Sequence, residues 1–340
     1  MKSPLKFLQR TALLALFLGL PPVLWAQYRL EDYRAHQYQV PEHRRELWTV
    51  TPNGAEARVD HLVAFHSRAD RLFSTREVAN GATVSPLTNA AADIPPVAFS
   101  PFSKKTLPEW MATQPITGLL VLHGRNILFE RYQYDRNAQD KMLGNSMSKT
   151  VVGMLVGQAL QDKSIESLDD LAEKYEPRLK GHPYGETSLR ALLTMTSGMA
   201  YTEARDVGEL WRRTAGQSMR SRGVESVTQI NTRKHPQGQT FNYNSTESQV
   251  LSLVLIGATG KSLAEYTSEK LWQPMGAEAP AFWMTDAAGT EAGFMGFNAT
   301  LRDWGRLGLL WAQQGAVDGQ AVVPAAYLVA SRAWRASGYG

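Results

Sequence analysis

The stretch from Gly144 to Leu160, GNSMSKTVVGMLVGQAL, constrains this chain more than any other. Val151, Met154, Leu155 and Leu160 recur at helical spacing, which predicts a buried helix with its first turn near Ser146. Residues three apart share a helix face, so the Lys149 ammonium can reach the Ser146 hydroxyl. A serine hydroxyl is a poor nucleophile until a neighbour takes its proton. An amine kept neutral by burial, at a helix N-terminus whose field disfavours cations, meets that need. The same spacing recurs at Ser3 and Lys6, in a leader-like segment where it carries no chemistry. The motif therefore needs support from the rest of the chain.

A chain of 340 residues, 43% hydrophobic and 20% charged, buries a substantial core and is not disordered. The formal charge of +4 includes Lys2, Lys6 and Arg10; the remainder is nearly neutral, which gives no reason to expect a nucleic-acid partner. Residues 1–26 have a basic start, an apolar core from Ala12 to Leu20, a Pro21–Pro22 break and Ala26 before a polar stretch. That is the layout of a signal peptide cleaved after Ala26, with an uncleaved anchor as the alternative. Cysteine is absent, so neither a disulfide nor a thioether-linked lipid can form. An exported, cysteine-free chain fits the bacterial periplasm, with no stable membrane association after cleavage.

Residues 27–110 are polar and punctuated by proline, and read as an extended region laid over a main domain at 111–340. His36, His43, His61 and His66 fall here without metal-site spacing and read as surface histidines. Leu119–Leu122 and Ile127–Tyr132 form a predicted hairpin around His123–Asn126. Beyond the nucleophile helix, Thr187 is expected to cap a helix bearing Leu189, Leu192 and Leu193. Residues 203–238 read as a helix plus loops forming a cleft wall. Phe241–Ser245 leads into a helix with Val250, Leu251, Leu253, Val254 and Leu255, broken at Ala258–Thr259–Gly260. Ser262 caps the next helix, and Thr300 with Asp303 begins another. One hairpin is too little sheet for so many helices, so the chain is expected to be a truncated piece whose C-terminal strands lie beyond residue 340.

Taken in series, the hairpin, Ser146-x-x-Lys149, LLTMTSG, FNYNS, ATGKSLAEY and GFNATLRDWGRLG resemble the serine β-lactamase and penicillin-binding-protein superfamily on its class C side. The likeness covers about two thirds of the chain. The run from Trp283 through Thr285–Asp286 to Asn298–Thr300 most resembles the 6-aminohexanoate-dimer-hydrolase branch. The resemblance implies an α+β fold, an antiparallel sheet packed against a helical cluster. It makes Ser146 the acylated serine, Lys149 its partner and Tyr243 the tyrosine of a Tyr-x-Ser box whose third position is Ser245. It also suggests a substrate contact for Tyr201. Lys149 beside the Tyr243 hydroxyl would favour a phenolate, and either group can serve as base. Tyr266–Thr267–Ser268 fits the same letters but sits within a helix, where Tyr266 reads as packing. The third, strand-borne box of the superfamily is not found.

The expected activity is hydrolysis of a small amide or ester through an acyl-enzyme, with no cofactor or metal. The alternatives are a β-lactamase or D-alanyl carboxypeptidase, or a non-catalytic periplasmic binding module on the same fold. An α/β-hydrolase is excluded, because Ser148 stands where the second glycine of Gly-x-Ser-x-Gly is required.

Overall fold

The computed structural model describes residues 63, 65–89, 107–113, 116–214 and 223–333. The described residues form three sheets, of which a two-stranded one pairs Ala316–Val317 with Gln320–Ala321 and the other two are larger. The first has the order β1 (Thr75–Val78), β6 (Ala281–Met284), β7 (Phe297–Thr300), β5 (Lys141–Leu143), antiparallel throughout. The second joins β3 (Gly118–His123) and β4 (Asn126–Tyr132) in the expected hairpin, with β2 (Thr88–Asn89) parallel to β4.

The expectation of a single hairpin is therefore corrected. The missed strands are short, and both β6 and β7 are buried at every position. Four residues are too few for periodicity to betray a strand, and β6, AFWM, has no polar alternation at all. The reading of 27–110 as a mere overlay is corrected in part: Thr75–Val78 is an edge strand in register with β6. The leader, His36, His43, His61 and residues 334–340 lie outside the described residues.

Helices cover the sheets: α1 (Leu107–Thr113), α2 (Ser148–Gln161), α3 (Leu189–Leu193), α4 (Glu203–Thr214), α5 (Ser245–Thr259), α6 (Leu263–Thr267) and α7 (Leu301–Ala312). The antiparallel sheet and helical cluster make the α+β architecture that the resemblance implies. α2 and α5 pack together at its centre, with α3 and α4 against α5. Most helix ends follow the sequence closely. Ser262 and Glu265 form a reciprocal capping box, and the Thr300 side chain accepts from the Asp303 amide. Gly260 ends α5 in the left-handed conformation. The cap of α3 is Ser188 and not Thr187, whose hydroxyl donates instead to the Pro183 carbonyl. Tyr266 is packing, as expected, and its hydroxyl donates to Asp162 at 2.9 Å.

β7 sets the floor of the site. Phe297 meets the rings of Trp272, Trp283 and Trp304 with centroids 4.8–5.5 Å apart. The three indole N–H groups donate to the Ala279 carbonyl, the Thr267 hydroxyl and the Met142 carbonyl, so the cluster buries no orphan donor.

Candidate active site

Ser146 lies on a 3-10 turn, Asn145–Met147, that precedes α2, so the α-helix begins two residues later than expected. The turn is docked on β7. The Gly144 amide donates to the Phe297 carbonyl at 2.8 Å, and the Phe297 amide donates to the Ser148 hydroxyl at 3.0 Å. A Cβ at Gly144 would stand 2.5 Å from the Trp304 ring, so only glycine lets the turn close on the aromatic floor. Asn145 has φ +44°, a sparsely populated conformation that asparagine tolerates better than most residues. Behind the turn, Val151, Val152, Met154, Leu155 and Val156 are all buried and fix α2 in place.

The Lys149 ammonium donates to the Ser146 hydroxyl at 3.0 Å and to the Phe294 carbonyl at 2.8 Å. Burial lowers its pKa to about 8, while the negative charge of Glu203 acts in the opposite direction. An amine with that pKa can hold or release a proton near neutrality. The ammonium also sits 5.2 Å from the Tyr243 ring centroid and 5.8 Å from that of Phe294. The expected contact of Lys149 with the Tyr243 hydroxyl is thus corrected: among the described residues the lysine meets the ring face and makes no hydrogen bond to the phenol. Tyr243 is 37% exposed and borders the site.

Ser245 departs further from expectation. It is buried at the start of α5, and its amide and hydroxyl donate to the Glu203 carboxylate at 3.1 and 2.6 Å. Its hydroxyl is therefore committed to the protein and not presented to a substrate. Tyr201 is 5% exposed, and its hydroxyl faces the Glu203 carboxylate. Burial, followed by the Glu203 charge, pushes its pKa well above the usual phenol range, so it remains a neutral donor. The Tyr201 carbonyl accepts from Asn242 at 2.9 Å, joining the two tyrosine-bearing segments.

Two participants were not legible. The Phe294 carbonyl is main chain and leaves no mark in sequence. Glu203 opens α4 as one acid among several, and only the fold brings it to Ser245 and Lys149. Lys149 also lines a largely apolar cavity of about 400 Å³, whose walls include Met154, Leu192, Met195, Phe241 and Leu251. Among the described residues, no cluster of His, Asp or Glu side chains is arranged to hold a metal ion.

Similarity to known proteins follows the same lines. The chain is 30% identical over 212 residues to the 6-aminohexanoate-dimer hydrolase of Paenarthrobacter ureafaciens. That overlap covers 60% of this chain and 54% of the relative, so the chain spans about half the length of that protein. A solved Bacillus anthracis structure, assigned provisionally as a 6-aminohexanoate-dimer hydrolase, superposes with a TM-score of 0.71 at 23% identity. The superposition covers 81% of this chain and 75% of that one, and bears on the fold alone. The sequence profile of the β-lactamase family matches residues 105–340, from α1 through the nucleophile turn, the tyrosine wall and β7. With well over half its length matched in this way, the chain belongs to the β-lactamase family of serine hydrolases.

Proposed function

We propose that the chain is the core of an exported hydrolase that cleaves a small amide or ester through an acyl-enzyme on Ser146. The observation that carries this reading is the Lys149 amine 3.0 Å from the Ser146 hydroxyl, with burial holding its pKa near about 8. The neutral amine takes the hydroxyl proton as Ser146 Oγ bonds to the substrate carbonyl carbon. The carbonyl electron pair moves to oxygen, where the Ser146 backbone N–H is one stabilising donor. When the electrons return, the bond to the leaving amine or alcohol breaks and that group takes the proton from Lys149. Water, giving its proton to the same amine, then attacks the ester and frees the acid and Ser146. Tyr243 shields Lys149 and is the second candidate for proton relay. Tyr201 is the side chain suited to donate to the substrate amide or ester.

The likeness to 6-aminohexanoate-dimer hydrolase supports a short substrate with an aliphatic portion. The leader-like residues 1–26 support export to the periplasm, which N-terminal sequencing of the mature protein would test. The activity test is turnover of a panel containing a 6-aminohexanoate dimer, a short-chain aryl ester and a β-lactam, with the wild type and S146A. Turnover of amide or ester that vanishes in S146A is expected. Equal turnover by S146A would overturn the reading.

A further inference from the structure

Glu247 has no part in the chemistry above, yet it is 1% exposed in the first turn of α5. Its Oε1 accepts from the Ser197 hydroxyl at 2.5 Å and from Asn244 Nδ2 at 3.1 Å. Its Oε2 has no partner among the described residues. Both donors belong to segments that border the site. The Ser197 hydroxyl also accepts from the Met199 amide, two residues before Tyr201. Asn244 follows Tyr243, caps α5 through the Thr246 amide and donates to the buried Tyr184 hydroxyl. Asn242 closes the circuit by bonding the Tyr201 carbonyl and, through its amide, the Met195 carbonyl.

We infer that Glu247 is a positioning residue: its Oε1 clamps the Ser197 turn to Asn244 and so fixes the wall that carries Tyr201 and Tyr243. No side chain forms an ion pair with it among the described residues. Arg233 reaches it only as a nearby charge, its guanidinium being bonded to the Ser197 and Pro183 carbonyls and the Thr187 hydroxyl. The other titratable groups facing this pocket are Tyr184 and, beyond it, Asp206 of α4. An ionised carboxylate with one bare oxygen in such a place is costly, whereas the neutral acid is tolerated. Burial accordingly pushes the Glu247 pKa to about 8, against the hydrogen bonds that favour the charged form.

The inference rests on the hydrolase reading only for its activity readout. Amide exchange near neutral pH, followed over residues 195–201 and 241–246, reads the clamp directly. E247Q keeps an oxygen acceptor without charge and is expected to protect these amides like the wild type. E247A, and S197A from the other end of the clamp, are expected to lose roughly tenfold protection there with the α2 core unchanged. Acylation of Ser146 by an activated ester should slow in the same order, roughly ten- to a hundredfold in E247A and little in E247Q. Linkage supplies a further sign. A carboxyl with a raised folded pKa stabilises fully below 4.5 and loses that contribution as pH rises through about 8. The melting temperature of the wild type should therefore fall relative to E247Q across that window. Unchanged protection in both E247A and S197A, E247Q as exposed as E247A, or parallel melting curves would each overturn the clamp. If the wild type forms no adduct while exchange follows the expected order, the hydrolase reading falls and the clamp stands.

Discussion

The two sides of the cleft are built on opposite principles. On the nucleophile side, Ser146 and Lys149 are three residues apart, and their geometry is inherited from one turn and one helix seated on apolar side chains. On the tyrosine side, Tyr201, Glu203, Tyr243 and Glu247 come from the loop before α4, α4 itself and the start of α5. Hydrogen bonds between buried polar groups hold them together. An apolar seat tolerates small losses, because many weak contacts share the load. A buried polar network does not, because each group left unpaired costs its own desolvation. The first side should therefore answer to chemistry and volume, and the second to single hydrogen bonds.

Substitutions can break that contrast, beginning with the largest effect. K149A removes the proton acceptor and should slow Ser146 acylation by roughly 10²–10⁴-fold with little change in melting temperature. A loss below about threefold would mean that another group is the base. G293A tests volume. Its Cβ would stand 1.7 Å from the Ser252 hydroxyl of α5, next to the Phe294 carbonyl that anchors Lys149. A destabilisation of about 1–3 kcal/mol in urea titrations is expected, with slower acylation. N244A tests a single hydrogen-bonding residue. Losing the α5 cap should cost about 1–2 kcal/mol and raise amide exchange around Tyr243 while leaving the Ser146 turn protected.

The smallest change is a shift in pH. Acylation needs the neutral form of Lys149, so the rate should rise with pH and level off above about 8. Glu203 raises that pKa, so E203Q should move the midpoint downward by a fraction of a unit, increasing the rate on the acid side. A midpoint that stays put or moves upward would remove Glu203 from the electrostatics of the site.

The same contrast explains what could be read in advance. Ser146, Lys149, the hairpin and the caps at Ser262 and Thr300 are local patterns, and sequence carries local patterns. Tyr243 was legible through family resemblance, but its pose was not: the lysine faces the ring and not the hydroxyl. The bond from Ser245 to Glu203 was not legible because the two lie 42 residues apart in sequence. β5, β6 and β7 escaped because runs of three or four residues are too short to establish a period. Glu247 sits among Thr246, Ser248 and Gln249 like an exposed helix start, and only the fold reveals that all four are buried.

The most direct test of the account is intact mass after mixing the protein with an activated ester, with peptide mapping to locate the adduct. The expected result is one acyl group on Ser146, formed faster as pH rises toward about 8 and absent in S146A. A folded wild type that stays unmodified, or an adduct that persists in S146A, would contradict the assignment of Ser146 as the nucleophile.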